Sequence, residues 1–382
     1  MAQSNMSNDY NNEFCLRDDF IHVNHAAVAP WPIRTKNAVV SFAEENSQQG
    51  SLNYLQWMEK EQSLREQLKK LINADSTDEI ALLKSTSEAL SVVAYGIDWK
   101  NGDTVVTSAE EFPSNRLLWE SLQPLGVGVK LVDLHQADDA EQAIIDATDE
   151  STRLLSISAV QYASGRKMDL KRLGQHCQSN NILFCIDAIQ QLGALSFNVN
   201  EVQADFVAAD GHKWMLGPEG LALFYCRKKH LSTLKLNQYG WHMIEHMHDF
   251  SRTDWEPAHS ARRFECGSPN TMGIMALSAS LSLIEETGIE SIEQQVLDNT
   301  DYLINELSQR DNIQLLSDVS KDTRSGIVTF KHQLISNDPL FEHLKLHNVF
   351  CAPRGGGIRF SPHFYTPREQ LQTLLELIDN AV

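Results

Sequence analysis

Lys213 stands in the run Ala208–Gly220, A-A-D-G-H-K-W-M-L-G-P-E-G, where a strand-like apolar segment, Phe206–Ala209, ends at a polar corner. A lysine taken alone is by default a solvated surface group. This one is flanked by His212 and Trp214, and the turn Gly217-Pro218-Glu219-Gly220 sends the chain back into a second apolar run, Leu221–Cys226. Confinement between two predicted strands half-buries the ammonium, lowers its pKa and frees the amine to attack a carbonyl. Asp187 closes the apolar run Ile182–Ile186 in F-C-I-D-A-I-Q. A carboxylate there needs a partner, either as a helix N-cap or loop acid, or by holding the protonated ring nitrogen of a ligand. Ser85-Thr86-Ser87-Glu88 falls between a strand-like run and a helix start. Its hydroxyls and backbone N–H groups suit a phosphate at the positive helix end, or a plain N-cap. Arg359, in G-I-R-F-S-P-H, carries a guanidinium fork that matches a carboxylate, unless it is only a strand-edge arginine.

The elements that must position these groups are legible as an alternation. Strand-like runs at Phe20–Val23, Ile80–Leu83, Thr104–Thr107, Val129–Val132, Leu154–Val160 and Ile182–Ile186 are interleaved with helix-like runs. The latter are Leu52–Ile72, Glu88–Ile97, Asn115–Leu122, Glu141–Ala147 and Leu170–Ser179. Such a pattern predicts a mostly parallel sheet covered by helices, with ligands beyond the strands' C-terminal ends. After Trp241 the periodicity weakens, then resumes with helix Ile274–Thr287, strands Gly326–Phe330 and Gly357–Phe360, and a closing helix Pro367–Ala381. This last third predicts a smaller α+β domain.

Composition limits the function classes. The 382 residues carry a net charge of -19 without any Lys/Arg cluster, which excludes a nucleic-acid surface. The six cysteines are scattered, with no C-x-x-C, as in a reducing compartment. Met1–Asn12 is a polar tail without signal-peptide character, and no apolar run approaches membrane-spanning length, so the expectation is a cytoplasmic protein with no membrane partner. His242, His246 and His248 lie close together, but no carboxylate or cysteine completes a familiar spacing, so no metal is expected. No G-x-G-x-x-G follows the first strand, which argues against a nicotinamide site.

The segment G-H-K-W-x-x-G-P-x-G resembles the cofactor-lysine segment of the class V aminotransferase family. These pyridoxal-phosphate (PLP) enzymes include cysteine desulfurases, kynureninases and isopenicillin N epimerases, and the similarity runs from about Asn24 to Pro362. The resemblance implies the α/β PLP-dependent transferase fold type I. Its large domain, 19–280, would hold a mostly parallel, seven-stranded-type sheet; a small C-terminal α+β domain would comprise 281–382 with 1–18. It implies that Lys213 forms the internal Schiff base and that, in D-A-x-Q, Asp187 takes the pyridine nitrogen and Gln190 the phenolic oxygen. Thr86 and Ser87 match the phosphate-holding positions, Phe112 the aromatic that stacks on the ring, and His212 the residue beside the lysine at the cofactor. Lys213 and Asp187 are the expected catalytic pair. Ser268, in R-F-E-C-G-S-P-N, matches a hydroxyl that reaches the neighbouring subunit's cofactor phosphate, which implies a homodimer with shared sites. On the substrate side the resemblance gives Arg359 to the α-carboxylate and places the small-residue loop Asn24–Pro30, with His25, at the site's border.

Departures from the family pattern shape the expected activity. Asp210 replaces a serine that many relatives place on the phosphate. Ala159 replaces a desulfurase asparagine, for which Gln161 is a substitute, and Phe112 replaces a histidine able to move protons. Cys351 lies too near Arg359 for a desulfurase persulfide loop and is expected to be an apolar filler. The expectation is therefore transamination of an amino acid. Cysteine desulfuration or another β-elimination, and a catalytically silent binding protein of the same fold, are the alternatives.

Overall fold

The computed structural model describes residues 12–381, so the tail expected at Met1–Asn12 lies, apart from its last residue, outside the described residues. In chain order the strands are β1 (Ile21–His22), β2 (Ile80–Leu83), β3 (Thr104–Ser108), β4 (Gly128–Val132), β5 (Thr152–Ser158), β6 (Leu183–Asp187), β7 (Phe206–Asp210) and β8 (Ala222–Cys226). The C-terminal third adds β9 (Ile313–Leu315), β10 (Val328–His332), β11 (Val349–Phe350), β12 (Ala352–Arg354) and β13 (Gly357–Phe360). Seven strands form the large sheet in the order β2-β8-β7-β6-β5-β3-β4. Strands β4, β3, β5, β6 and β7 run parallel; β8 runs antiparallel to both of its neighbours.

The central strands are apolar throughout because both faces are covered, and alternate residues feed two cores. Cys185, Phe206 and Phe224 pack with Leu90 and Val93 of the helix Thr86–Gly96. Ile186, Val207 and Leu223 pack on the other face with Leu64 and Leu68 of the helix Tyr54–Ile72 and Leu277 of the helix Thr271–Thr287. A fully buried side chain of this kind contributes roughly 1.5–3 kcal/mol. Cys177, Cys185, Cys226 and Cys351 are buried free thiols, so they act as small apolar groups.

A second antiparallel sheet, β12-β13-β10-β9, carries the C-terminal core of Phe330, Ile358, Phe360, Leu371 and Leu375. The N-terminal segment packs on the same core: β1 pairs parallel with β11 in a separate two-stranded sheet, and Ile21 and Val23 lie in that core. The helix Ile289–Ser308 connects the two bodies, with Ile292 and Val296 in the large core and Leu303 and Leu307 in the small one.

Some expected elements differ. The helix expected from Leu52 begins at Tyr54 and buries Trp57, Glu61, Leu64, Arg65, Leu68 and Ile72. Leu52 and Leu55 are 75% and 74% exposed, so the stripe facing the core starts only at Trp57. Asn115–Leu122 is not one helix but a 3-10 turn, Pro113–Asn115, followed by a single helical turn, Leu117–Glu120. The helices Ile33–Gln49 and Asn337–Leu346, and the bridging helix Ile289–Ser308, were not anticipated.

Candidate active site

Loops at the C-terminal ends of β6 and β7 meet the hairpin of β12 and β13 around a cavity of about 330 Å3. Asp187, the last residue of β6, and Lys213, three residues beyond β7, both face it. Burial is the dominant influence on both: it pulls the Lys213 ammonium down and pushes the Asp187 carboxyl up. Each opposes the other's shift through their mutual attraction. Asp187 Oδ1 accepts one backbone bond, from the Ile189 N–H at 3.0 Å.

Behind Asp187 lies a second buried acid that the sequence reading passed over. Glu111 is fully enclosed, and burial raises its pKa. It accepts from the Ser158 N–H, Gln161 Nε2 and Asn115 Nδ2, all at 2.8 Å, and from Ser158 Oγ at 2.5 Å. Gln161 is thereby turned away from the cavity, which its neighbour Tyr162 lines instead. Ala159 is buried in the core and donates its N–H to the Asp187 carbonyl. His25 is likewise buried, with Nδ1 2.8 Å from the Ser361 carbonyl and Nε2 2.6 Å from Tyr365 Oη. Both ring nitrogens are taken, and the cavity wall at this point is Ala26 and Ala27.

Gln190 lines the cavity and is fixed at both ends: Nε2 donates to the Ala26 carbonyl at 3.0 Å, and Oε1 accepts from Trp214 Nε1 at 2.9 Å. Thr86 and Ser87 open the helix Thr86–Gly96 at the opposite wall. Ser85 Oγ caps this helix through the Glu88 N–H at 3.2 Å, while Thr86 Oγ1 accepts from the Asp210 N–H at 3.0 Å. The N–H groups of Thr86 and Ser87 bond to no other described residue, which leaves a helix N-terminus aimed at the cavity. Phe112 is 42% exposed at the mouth, edge-on to Tyr162, with its ring centroid 5.6 Å from Lys213 Nζ.

Asp210, whose carboxylate would repel a phosphate, has a histidine beside it. His212 Nδ1 lies 2.8 Å from Asp210 Oδ1, close enough for charge attraction although off the line of a hydrogen bond, so both atoms lack a bonded partner. Arg359 is 3% exposed and lined up on the cavity. It donates from Nη1 to the Tyr162 carbonyl at 2.6 Å and from Nη2 to Asn24 Oδ1 at 3.4 Å, and Nε has no partner. Burial, with the charge of Arg354, pulls its pKa down to about 10. Among the described residues it forms no ion pair, so a buried cation faces the cavity without an anion. Ser268 is exposed, accepts from Trp241 Nε1 at 3.3 Å and does not line its own chain's cavity.

The histidine group resolves differently from its sequence spacing. His242 is buried beside Glu61 and Glu265, carboxylates from distant parts of the chain, while His246 and His248 do not join that group. Arg65 already occupies the centre, 2.5 Å from Glu61 Oε1 and 2.6 Å from Glu265 Oε1. The two carboxylates also face different ring nitrogens of His242. The cation of this cluster is therefore the guanidinium, and no metal is assigned.

An enclosed amine, an acid short of partners, a free helix N-terminus and an unpaired arginine around one cavity fit PLP with its amino-acid substrate. On this sheet they define a fold type I PLP enzyme. The chain belongs to the class V aminotransferase family: the family model "Aminotransferase class-V" matches residues 24–374. It is similar to a probable cysteine desulfurase of Methanothermobacter thermautotrophicus, at 31% identity over 97% of each chain. In three dimensions it superposes on the apo structure of a cysteine desulfurase from Thermococcus onnurineus with a TM-score of 0.89 and 24% identity, covering 100% of this chain and 99% of that one. A complex of the cystine C-S lyase C-DES with its product cysteine persulfide gives a TM-score of 0.86 at 21% identity, over 94% of this chain and 97% of that one.

Proposed function

We propose that the chain takes the proton from Cα of an α-amino acid and expels a sulfur leaving group from Cβ. The observation that carries the first half is the convergence of Lys213, Asp187 and Arg359 on one cavity. Bound PLP supplies an aldehyde that captures amines and a ring that withdraws electrons from the bonds at Cα. Arg359, buried without a chain carboxylate, binds the substrate's α-carboxylate through two parallel bonds. Lys213, held below the ordinary lysine range by burial, keeps a neutral fraction of Nζ that accepts the Cα proton. Asp187 would keep the ring nitrogen protonated, and Gln190 would stand at the phenolic oxygen. The free N–H groups of Thr86 and Ser87, with their hydroxyls, would hold the phosphate; His212 would shield it from Asp210; and the Phe112 ring would cover the cofactor face.

The second half draws on the relatives named cysteine desulfurase and on the solved C-S lyase. No cysteine is among the described residues that line the cavity, and burial pushes the Cys351 thiol up to about 12. That favours sulfur departing with its leaving group over transfer to a chain thiolate. Transamination is the second reading, because Phe112 offers no proton to a departing thiolate. Incubation with cysteine, S-substituted cysteines and alanine separates the outcomes. Pyruvate with free thiol or sulfide is expected. Accumulating pyridoxamine phosphate with the intact keto acid would replace this reading by transamination, and alanine from cysteine would replace it by desulfuration.

A further inference from the structure

The cavity has a second arginine. Arg354 lines it beside Arg359, and the sequence R-G-G-G-I-R explains how. Arg354 pairs with Gly357 across the β12–β13 ladder, and Ala352 pairs with Arg359. Side chains two apart on a strand share a face, so 352 and 354 face the same way as 357 and 359. Arg354 and Arg359 are thus a diagonal pair, with Cβ atoms roughly 7–8 Å apart by ladder geometry. The connecting turn is Gly355-Gly356, with φ +58 and +79, the two-residue type I′ hairpin that only such residues close without strain. Its position is fixed from outside: Asn337 Nδ2 donates to the Gly356 carbonyl at 2.8 Å, a Cβ on Gly355 would come within 3.1 Å of Ala163 Cβ, and one on Gly357 would strike the Phe330 carbonyl.

Arg354 is exposed, and its one recorded bond is from Nη1 to the Pro353 carbonyl at 3.0 Å. Among the described residues it has no carboxylate partner, in a chain with 51 acidic and 32 basic residues. Two arginines held on one face of a pinned hairpin, neither with a carboxylate partner among the described residues, are stabilised by anions at two points. We propose that Arg354 grips a second carboxylate of the substrate, so that the preferred substrate class is an α-amino acid with a carboxylate at its far end. This rests on the assignment of the α-carboxylate to Arg359. An acidic side chain and the distal half of a disulfide-linked amino acid both supply that chemistry.

The test uses the PLP-loaded enzyme. Glutarate and butyrate are titrated calorimetrically, and kcat/KM is compared for S-(carboxymethyl)cysteine and its amide isostere. A disulfide-linked cysteine pair, with and without its distal carboxylate amidated, tells the two sources apart. The wild type is expected to prefer the charged member by about ten-fold or more, one charge-assisted pair's worth. In Arg354→Gln the ratio falls toward one, whereas Arg359→Gln weakens glutarate and butyrate alike. Equal binding of both by the wild type, or a preference kept intact by Arg354→Gln, overturns the proposal. A normal preference accompanied by pyridoxamine phosphate rather than pyruvate overturns C–S cleavage alone.

Discussion

Two charges of opposite sign, each made costly by burial, face one cavity, and their shifts run in opposite directions. An amine in that position becomes neutral as pH rises through a pKa lying below the usual 10.5, so proton abstraction should increase with pH across that lowered value. Lys213→Ala is expected to lower kcat/KM by about 10²–10⁴ and to remove the visible absorption of protein-linked cofactor. Added small amines should restore part of the rate, because they replace the base but not the tether. Unchanged absorption in the variant would remove Lys213 from the chemistry. At this scale the sequence was informative at and near the ends of strands and at a helix start: Asp187, Thr86, Ser87, Lys213 and Arg359 all reach the cavity. It failed within loops, where orientation is set by distant partners. Gln161 turns to Glu111, and His25 to Ser361 and Tyr365; neither direction can be read from local spacing. Arg354 did leave a signal, since a Gly-Gly turn between two arginines puts both on one face.

The mostly parallel character of the large sheet followed from the alternation of apolar runs, because a strand buried on both faces has few sequence alternatives; the order of its strands did not. The helices Ile33–Gln49 and Asn337–Leu346 were not legible, since their stripes are narrow and interrupted by polar residues. Also hidden was the seam between the N-terminal strand and the segment after β13. There Ser361 donates its N–H to the Val23 carbonyl at 2.7 Å, and the rings of His22, His25 and His363 meet edge to face in series. His363 Nδ1 accepts from the Phe364 N–H at 2.8 Å, a bond that only the neutral ring can make. Burial pulls His22 and His363 down to about 4 from 6.5, and takes His25 well below its usual value. Folded pKa values below the unfolded ones mean that the unfolded chain binds protons first. The seam is therefore at full strength above pH 6.5 and weakens as pH falls toward 4, by of the order of 3 kcal/mol for each of His22 and His363. Melting temperature should drop over that window, and less steeply in His22→Gln. An equal slope in the variant would place the acid sensitivity elsewhere.

At the scale of the molecule, one predicted cofactor group stands outside the cavity of its own chain. Ser268 stands exposed outside its own chain's cavity, on a segment whose preceding residue pair, Phe264 and Glu265, is locked into the large body. Glu265 accepts from Arg65 and from the Leu82 N–H at 2.8 Å, so the segment is held rigidly where a second copy can meet it. We propose a homodimer in which Ser268 completes the phosphate site of the partner, with a solution mass near twice the chain's 43.1 kDa. Complementation tests the sharing itself. Ser268→Asp should weaken cofactor retention by repelling the phosphate, and Lys213→Ala should be inactive. A mixed dimer of the two variants concentrates both lesions in one site and leaves the other with an intact Lys213 and an intact Ser268. Refolding the variants together should therefore give more activity than the two pure preparations combined, at limiting cofactor where retention decides the rate. Activity no greater than their average would mean that each site draws only on its own chain, and Ser268 would then be an ordinary surface hydroxyl bonded to Trp241.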